Sequence, residues 1–130
     1  IANVAPATYD CKISKANHVD GIIPYQAVVA ATDKVIDAVL VEYANYGGTI
    51  TVAGPTPVEG VTVEYYSTYP GTPDYTDDTD ASGEYAIANI VPGTYQVKIS
   101  KTGYVTQFAM DRTVAGDADV TNDDWTIVAT

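Results

Sequence analysis

The stretch IANIVPGTYQVKISK, residues 87–101, decides the fold through its second half, where Tyr95, Val97 and Ile99 alternate with Gln96, Lys98 and Ser100. Successive side chains of an extended strand point to opposite faces, so this alternation predicts one buried face and one wet face. Nearly the same run stands earlier as IANVAPATYDCKISK, residues 1–15. Over residues 1–19 against 87–105, eleven of nineteen positions are identical at a constant offset of 86. Self-similarity at a fixed spacing reads as a tandem repeat. In the earlier copy the inward positions fall to Tyr9, Cys11 and Ile13.

Outward from this stretch the same texture continues. GGTITVAG (47–54), EGVTVEYYS (59–67), GEYAIANI (83–90), GYVTQFAM (103–110) and DVTNDDWTIVAT (119–130) are short alternating runs. They are separated by GPTPVEG, YPGTPDYTDDTDASG and IVPG, rich in residues that turn the chain. Short strands at this spacing predict an all-β chain, an antiparallel Greek-key β-sandwich of about seven strands over residues 47–130. Ile50, Val52, Val61, Val63, Ile87, Tyr95, Val97 and Ile99 are its expected inward or half-inward positions.

YQAVVAATDKVIDAVLVEYANYGG (25–48) would also pass as an amphipathic helix ended by glycines. Alignment of Val29-Ala30-Ala31 with Val114-Ala115-Gly116, and of Val35 with Val120, at an offset of 85 predicts a strand over residues 35–43 instead. Residues 1–46 then correspond to the back half of a sandwich whose front is missing. A half-sandwich exposes apolar faces and open strand edges, which soluble proteins avoid. The expectation is a window of a longer array, or neighbouring chains that supply the missing strands.

Composition bounds the function. Hydrophobic residues make up 46% of the 130 and charged residues 18%, which is ordinary for a folded domain. Six basic against 17 acidic residues give a net charge of −11. Phosphate backbones and anionic membrane surfaces are repelled by such a chain, so nucleic acid is excluded as a partner. No run of 18 apolar residues is present, so no membrane insertion is expected. An acidic, Thr- and Tyr-rich chain suits an extracellular or cell-surface setting. Cys11 is the sole cysteine. It aligns with Val97 and reads as a small buried hydrophobe.

These residues resemble the carboxypeptidase regulatory-like domain, a prealbumin-like β-sandwich. The resemblance rests on the Gly-led GGTITVAG, the P-x-x-G-V-x-V second strand, the D-x-x-G-x-Y hairpin (Asp80, Gly83, Tyr85), PGTY (Pro92 to Tyr95) and the Gly103-Tyr104 pair. It implies accessory, spacer, adhesion or assembly roles and no shared catalytic residues. Collagen-adhesin B-type domains share the sandwich and carry a Lys-Asn crosslink promoted by a buried acid. Here Ile99 stands where that acid belongs and GGTITVAG has no Lys, so no such crosslink is expected.

Catalytic chemistry finds little support. The one histidine, His18, aligns with Tyr104 in a turn region and reads as a surface or packing residue. No HExxH, CxxC or phosphate loop occurs, so no cofactor and no transition metal is expected. Asp77-Asp78 and Asp123-Asp124 read as solvated acidic loops. Asp78, Asp80 and Ser82, followed by Gly83, copy the first half of a calcium loop and are the candidate metal ligands, though Asn89 replaces the acid expected at its twelfth position. An ordinary hairpin turn is the plainer reading. Tyr65, Tyr66, Tyr69 and Tyr75 gather around the PGTP loop, where exposed rings would stack on a glycan, while alternation buries at least one of Tyr65 and Tyr66.

The reading is a non-enzymatic structural module of an extracellular tandem array, filament or surface fibre. Copies of itself or adjacent repeats are its partners, met through strand complementation on Tyr9, Cys11 and Ile13 or through end-to-end packing. The alternative is a glycan- or protein-binding accessory module of a secreted enzyme. A rigid aromatic platform on one face would favour that second reading.

Overall fold

The computed structural model describes residues 2–30 and 33–130. The chain divides into two compact units, Ile1–Glu42 and Tyr43–Thr130. Among the described residues every regular element is a strand, and no helix is long and apolar enough to cross a membrane.

The larger unit is a two-sheet sandwich. One sheet is built on β3 (Ala44–Val52), which pairs antiparallel with β7 (Glu84–Ile90) and with the short β4 (Thr56–Pro57). It pairs parallel with β10 (Asp119–Val120) and β11 (Trp125–Ile127). The other sheet runs β6 (Tyr75–Asp78), β5 (Thr62–Tyr66), β8 (Gly93–Ser100), β9 (Gln107–Val114), antiparallel throughout. Nine strands therefore stand where about seven were expected; β4, β10 and β11 are elements of two or three residues, and β6 is an edge strand in which Asp77 and Asp78 pair with β5, where a solvated acidic loop was expected. The two parallel pairs arise because the closing segment returns alongside the first strand in the same direction.

Alternation places the core between the sheets. Ile50, Val61, Val63, Ile87, Tyr95, Val97 and Ile99 are buried, and Val52 packs half-buried against them. Gly83 adopts the positive φ of the hairpin turn, +74°. The backbone carbonyl of Ile50 passes where a side chain at Gly83 would sit, so glycine is required there for two reasons.

The smaller unit contains β1 (Ala7–Ile13) and β2 (Gly21–Val28), an antiparallel hairpin. Ala7 faces Val28, Tyr9 faces Gln26, Cys11 faces Ile23 and Ile13 faces Gly21. Adding 86 to each number reproduces the pairs Gly93–Val114, Tyr95–Arg112, Val97–Ala109 and Ile99–Gln107 of β8 and β9. The irregularity between Tyr9 and Cys11 recurs between Tyr95 and Val97. Positive φ recurs at Asn3 and Asn89, Asn17 and Gly103, and Tyr25 and Asp111. Tyr9 donates its hydroxyl to the Ala5 carbonyl at 2.9 Å, as Tyr95 does to Val91 at 2.7 Å.

Two expectations about this unit require correction. Register, not residue type, fixes equivalence, and Val28 takes the place of Val114 at an offset of 86. The Val41 carbonyl then accepts from Val19 as that of Val128 accepts from Val105, an offset of 87. The proposed offset of 85, with Val29 matched to Val114, does not hold. Its third matched residue, Ala31, lies outside the described residues, as does Ile1 at the head of the repeated run.

The strand expected over residues 35–43 is absent too. Residues 33–41 form no regular element, Glu42 makes an isolated bridge to His18, and Val35 and Val39 are 79% and 93% exposed. In the larger unit the corresponding segment becomes β10 and β11 by lying on β3. The described residues of Ile1–Glu42 contain no strand equivalent to β3, and a strand without a partner has nothing to satisfy its backbone groups.

Candidate functional site

The one buried charged cluster of the larger unit lies at its closing segment. Asp123 is 7% exposed. Its Oδ2 accepts from the Tyr85 hydroxyl at 2.8 Å and from the Tyr65 hydroxyl at 3.3 Å, and its Oδ1 receives the Arg112 guanidinium. The guanidinium carbon also sits 5.6 Å over the Tyr46 ring. Asp123 is held in place by its backbone: its N–H donates to the Gly47 carbonyl at 3.0 Å, and its carbonyl accepts from Tyr85 at 2.8 Å. A Cβ on Gly48 would overlap that carbonyl, so the close approach of the closing segment to β3 depends on glycine.

The electrostatics follow from this geometry. Burial pushes the Tyr65 and Tyr85 hydroxyls well above the ordinary tyrosine range, and the Asp123 charge pushes them further. Burial works against the charge on Arg112, but Asp123 outweighs it and the guanidinium is held still more firmly protonated. The carboxylate is thus engaged by two neutral hydroxyls and a fixed cation. The cluster cross-links the two sheets, and its rings are turned inward. Sequence reading placed Asp123 in a solvated loop, and only Asp124 fits that description, with Oδ1 accepting from the Thr49 N–H at 2.8 Å.

The candidate calcium ligands fall where the β6–β7 connection turns. Asp80 Oδ1 accepts from the Ser82 and Glu84 backbone N–H groups at 2.8 and 3.0 Å, and Asp78 Oδ1 accepts from the Thr62 hydroxyl at 2.7 Å. Asn89 is in β7 and its backbone is bonded to the Asn45 side chain. Among the described residues no three His, Cys, Asp or Glu side chains converge as metal ligands. His18 belongs to the smaller unit, with Nδ1 2.8 Å from the Ala16 carbonyl and Nε2 3.0 Å from Glu42 Oε1.

The tyrosines of the PGTP region separate. Tyr65 is in the core and Tyr75 packs against it. Tyr66 is buried on the outer face of its sheet beneath Tyr69, whose ring lies 5.1 Å away at 82°. Phe108 meets Tyr69 at 5.4 Å and 65°. These rings pack edge-to-face rather than in one shared plane, with Tyr69 and Phe108 partly exposed.

The smaller unit presents the opposite condition. None of its described residues is buried. Tyr9 is 39% exposed where Tyr95 is 6%, and Cys11 and Ile13 are half-buried where Val97 and Ile99 are fully enclosed. The expected burial of Cys11 is thus only partial. In the larger unit β8 is flanked by β9 and β5; among the described residues β1 pairs with β2 alone. Tyr9, Cys11 and Ile13, the residues expected to mediate assembly, therefore share one incompletely covered face of β1.

The family model for the carboxypeptidase regulatory-like domain matches residues 47–125, inside the larger unit. The chain belongs to that family. No curated protein matches. Among solved structures, this carboxypeptidase regulatory-like chain is similar to chains in two crystal structures of a type II Cohesin-X-Dockerin complex from Acetivibrio cellulolyticus, an N-terminal and a C-terminal interface mutant. Identity is 24% and 26%, and the TM-score is 0.53 for both. The match covers 66% of this chain and 58% of each of those chains.

Proposed function

We propose that this chain is a non-catalytic structural and protein-interaction module of an extracellular repeat array, filament or surface fibre, assembled by supplying strands between repeats. The observation that carries the reading is the β1–β2 hairpin. It has the register of β8–β9, yet among the described residues of its unit none is buried and no counterpart of the strands that bury β8–β9 is found. A two-stranded hairpin is marginal in water on its own. Covering it by strand addition satisfies the open edge and buries alternate side chains without any special chemistry. At about 25 cal/mol per Å² of apolar area, a few hundred Å² contribute several kcal/mol, enough to make the covered state the resting one. The similarity to chains of a complex built on protein–protein recognition supports an interaction role.

The test is a fusion that places a second copy of residues 44–86 ahead of residue 1, at the repeat spacing. The Cys11 thiol is then expected to lose reactivity towards a disulfide reagent, and the amides of residues 8–13 to gain protection from hydrogen exchange. Equal thiol reactivity and unprotected amides in the fusion would overturn the reading. So would a monomeric parent chain whose amides at 8–13 are already protected.

A further inference from the structure

Resting on the reading of the smaller unit as a sandwich half that receives strands, the geometry points to one occupant for the free edge of β1. We infer that it is the β5-type strand of a neighbouring repeat, antiparallel, with the equivalent of Tyr65 opposite Cys11, Glu64 opposite Lys12 and Val63 opposite Ile13.

Register carries the argument. Across β5 and β8 the partners are Tyr65–Val97, Glu64–Lys98 and Val63–Ile99. β1 reproduces β8 pair for pair on the β2 side, including the irregularity after Tyr9, so its other edge presents backbone groups in the order that β8 presents to β5. Side chains agree with the backbone. Lys98 Nζ meets Glu64 Oε2 at 2.7 Å on the outer face, and Lys12 occupies the same position on β1. On β1, Lys12 Nζ instead pairs with Asp20 Oδ2 at 2.7 Å, with both side chains about half exposed. On the inner face the small Cys11 replaces Val97 opposite the incoming tyrosine, and Ile13 repeats Ile99 opposite valine. The occupant is therefore an extended segment with apolar residues two apart and a carboxylate between them. No other strand of the larger unit carries this combination opposite a β8-type edge.

The sole cysteine makes the register measurable. The probe is the peptide VEGVTVEYYS, residues 58–67, which contains no cysteine, in three versions carrying Tyr65→Cys, Glu64→Cys or Val63→Cys. Directly opposed residues have Cβ atoms about 4.5–5.5 Å apart, close to what a disulfide spans, whereas diagonal neighbours lie about 7–8 Å apart. Under mild oxidation of the full chain, Tyr65→Cys should cross-link to Cys11 at least about tenfold faster than the other two, and excess unmodified peptide should suppress it. Lys12→Glu in the chain should slow the reaction about tenfold, and adding Glu64→Lys to the Tyr65→Cys peptide should restore it; the restoration separates a lost contact from a damaged hairpin. Equal rates for the three peptides, or no restoration by the charge swap, would overturn the assignment. If the fusion described above buries Cys11 while the peptides show no register preference, strand supply stands and the β5 assignment falls.

Discussion

Replacing Asp123 by alanine tests whether the closing segment is held by its buried carboxylate. The side chain is 7% exposed and serves Tyr85 at 2.8 Å, Tyr65 at 3.3 Å and the Arg112 guanidinium. Removing one partner of a buried ion pair costs about 3–5 kcal/mol, because the other charge is left without compensation. Two features place this site at the lower end. The Arg112 side chain is 30% exposed, so water recovers part of its hydration, and Tyr85 keeps the Asp123 carbonyl at 2.8 Å as an acceptor. About 3 kcal/mol is the expected loss, which for a unit of this size lowers the melting temperature by roughly 12–24 °C. Calorimetry and urea unfolding with an unchanged m value provide the measurement. Arg112→Met alone should also destabilise, and the double variant should cost clearly less than the sum, since it removes both charges together. An Asp123→Ala variant within about 1 kcal/mol of the parent, or costs that simply add, would refute the buried-pair account.

Gly48→Ala forces a side chain into the Asp123 carbonyl, and because neither backbone can yield cheaply it should cost about 3 kcal/mol by urea unfolding. Alkaline pH should unfold the larger unit: burial, reinforced by Tyr75 and Asp74, pushes Tyr95 up to about 12, and Tyr65 and Tyr85 shift the same way. Their contribution is complete below the unfolded value of about 10 and falls as pH rises towards about 12, where the unfolded chain has already released its protons. The last part of the tyrosinate absorbance change should therefore appear only together with the loss of circular dichroism in that window; complete ionisation of all eleven tyrosines while the structure persists would contradict this. Calcium or a chelator should leave the melting temperature unchanged, because Asp80 Oδ1 already serves two backbone N–H groups. A rise abolished by Asp78→Asn would instead establish a calcium site. Asp80→Ala should cost about 1 kcal/mol through the lost turn bonds.

Period-2 alternation is a local property, and it was enough to place the main runs of β3, β5, β7, β8 and β9 and to sort Val61, Val63, Val97 and Ile99 to the inside, but not β6, which forms in a stretch read as a turn. The Asp-x-x-Gly turn at Asp80 and Gly83 was legible for the same reason, since a positive φ selects glycine through its own backbone. The echo between residues 1–19 and 87–105 likewise marked two hairpins that pair alike. What depends on a distant partner was not legible. Asp123 and Asp124 are identical neighbours in sequence, and only the path of the closing segment across Gly48 turns one carboxylate into the core and leaves the other at the surface. Residues 33–41 and their counterparts near Val120 and Ile127 are similarly apolar, yet only the second set becomes strand, because only there does β3 run alongside to take its hydrogen bonds. Side-chain pattern thus determined which residues can be strand and which face they offer. The tertiary structure decided which of them find a partner, since backbone pairing and the burial of a charge are both settled by what lies across the sheet rather than along the chain.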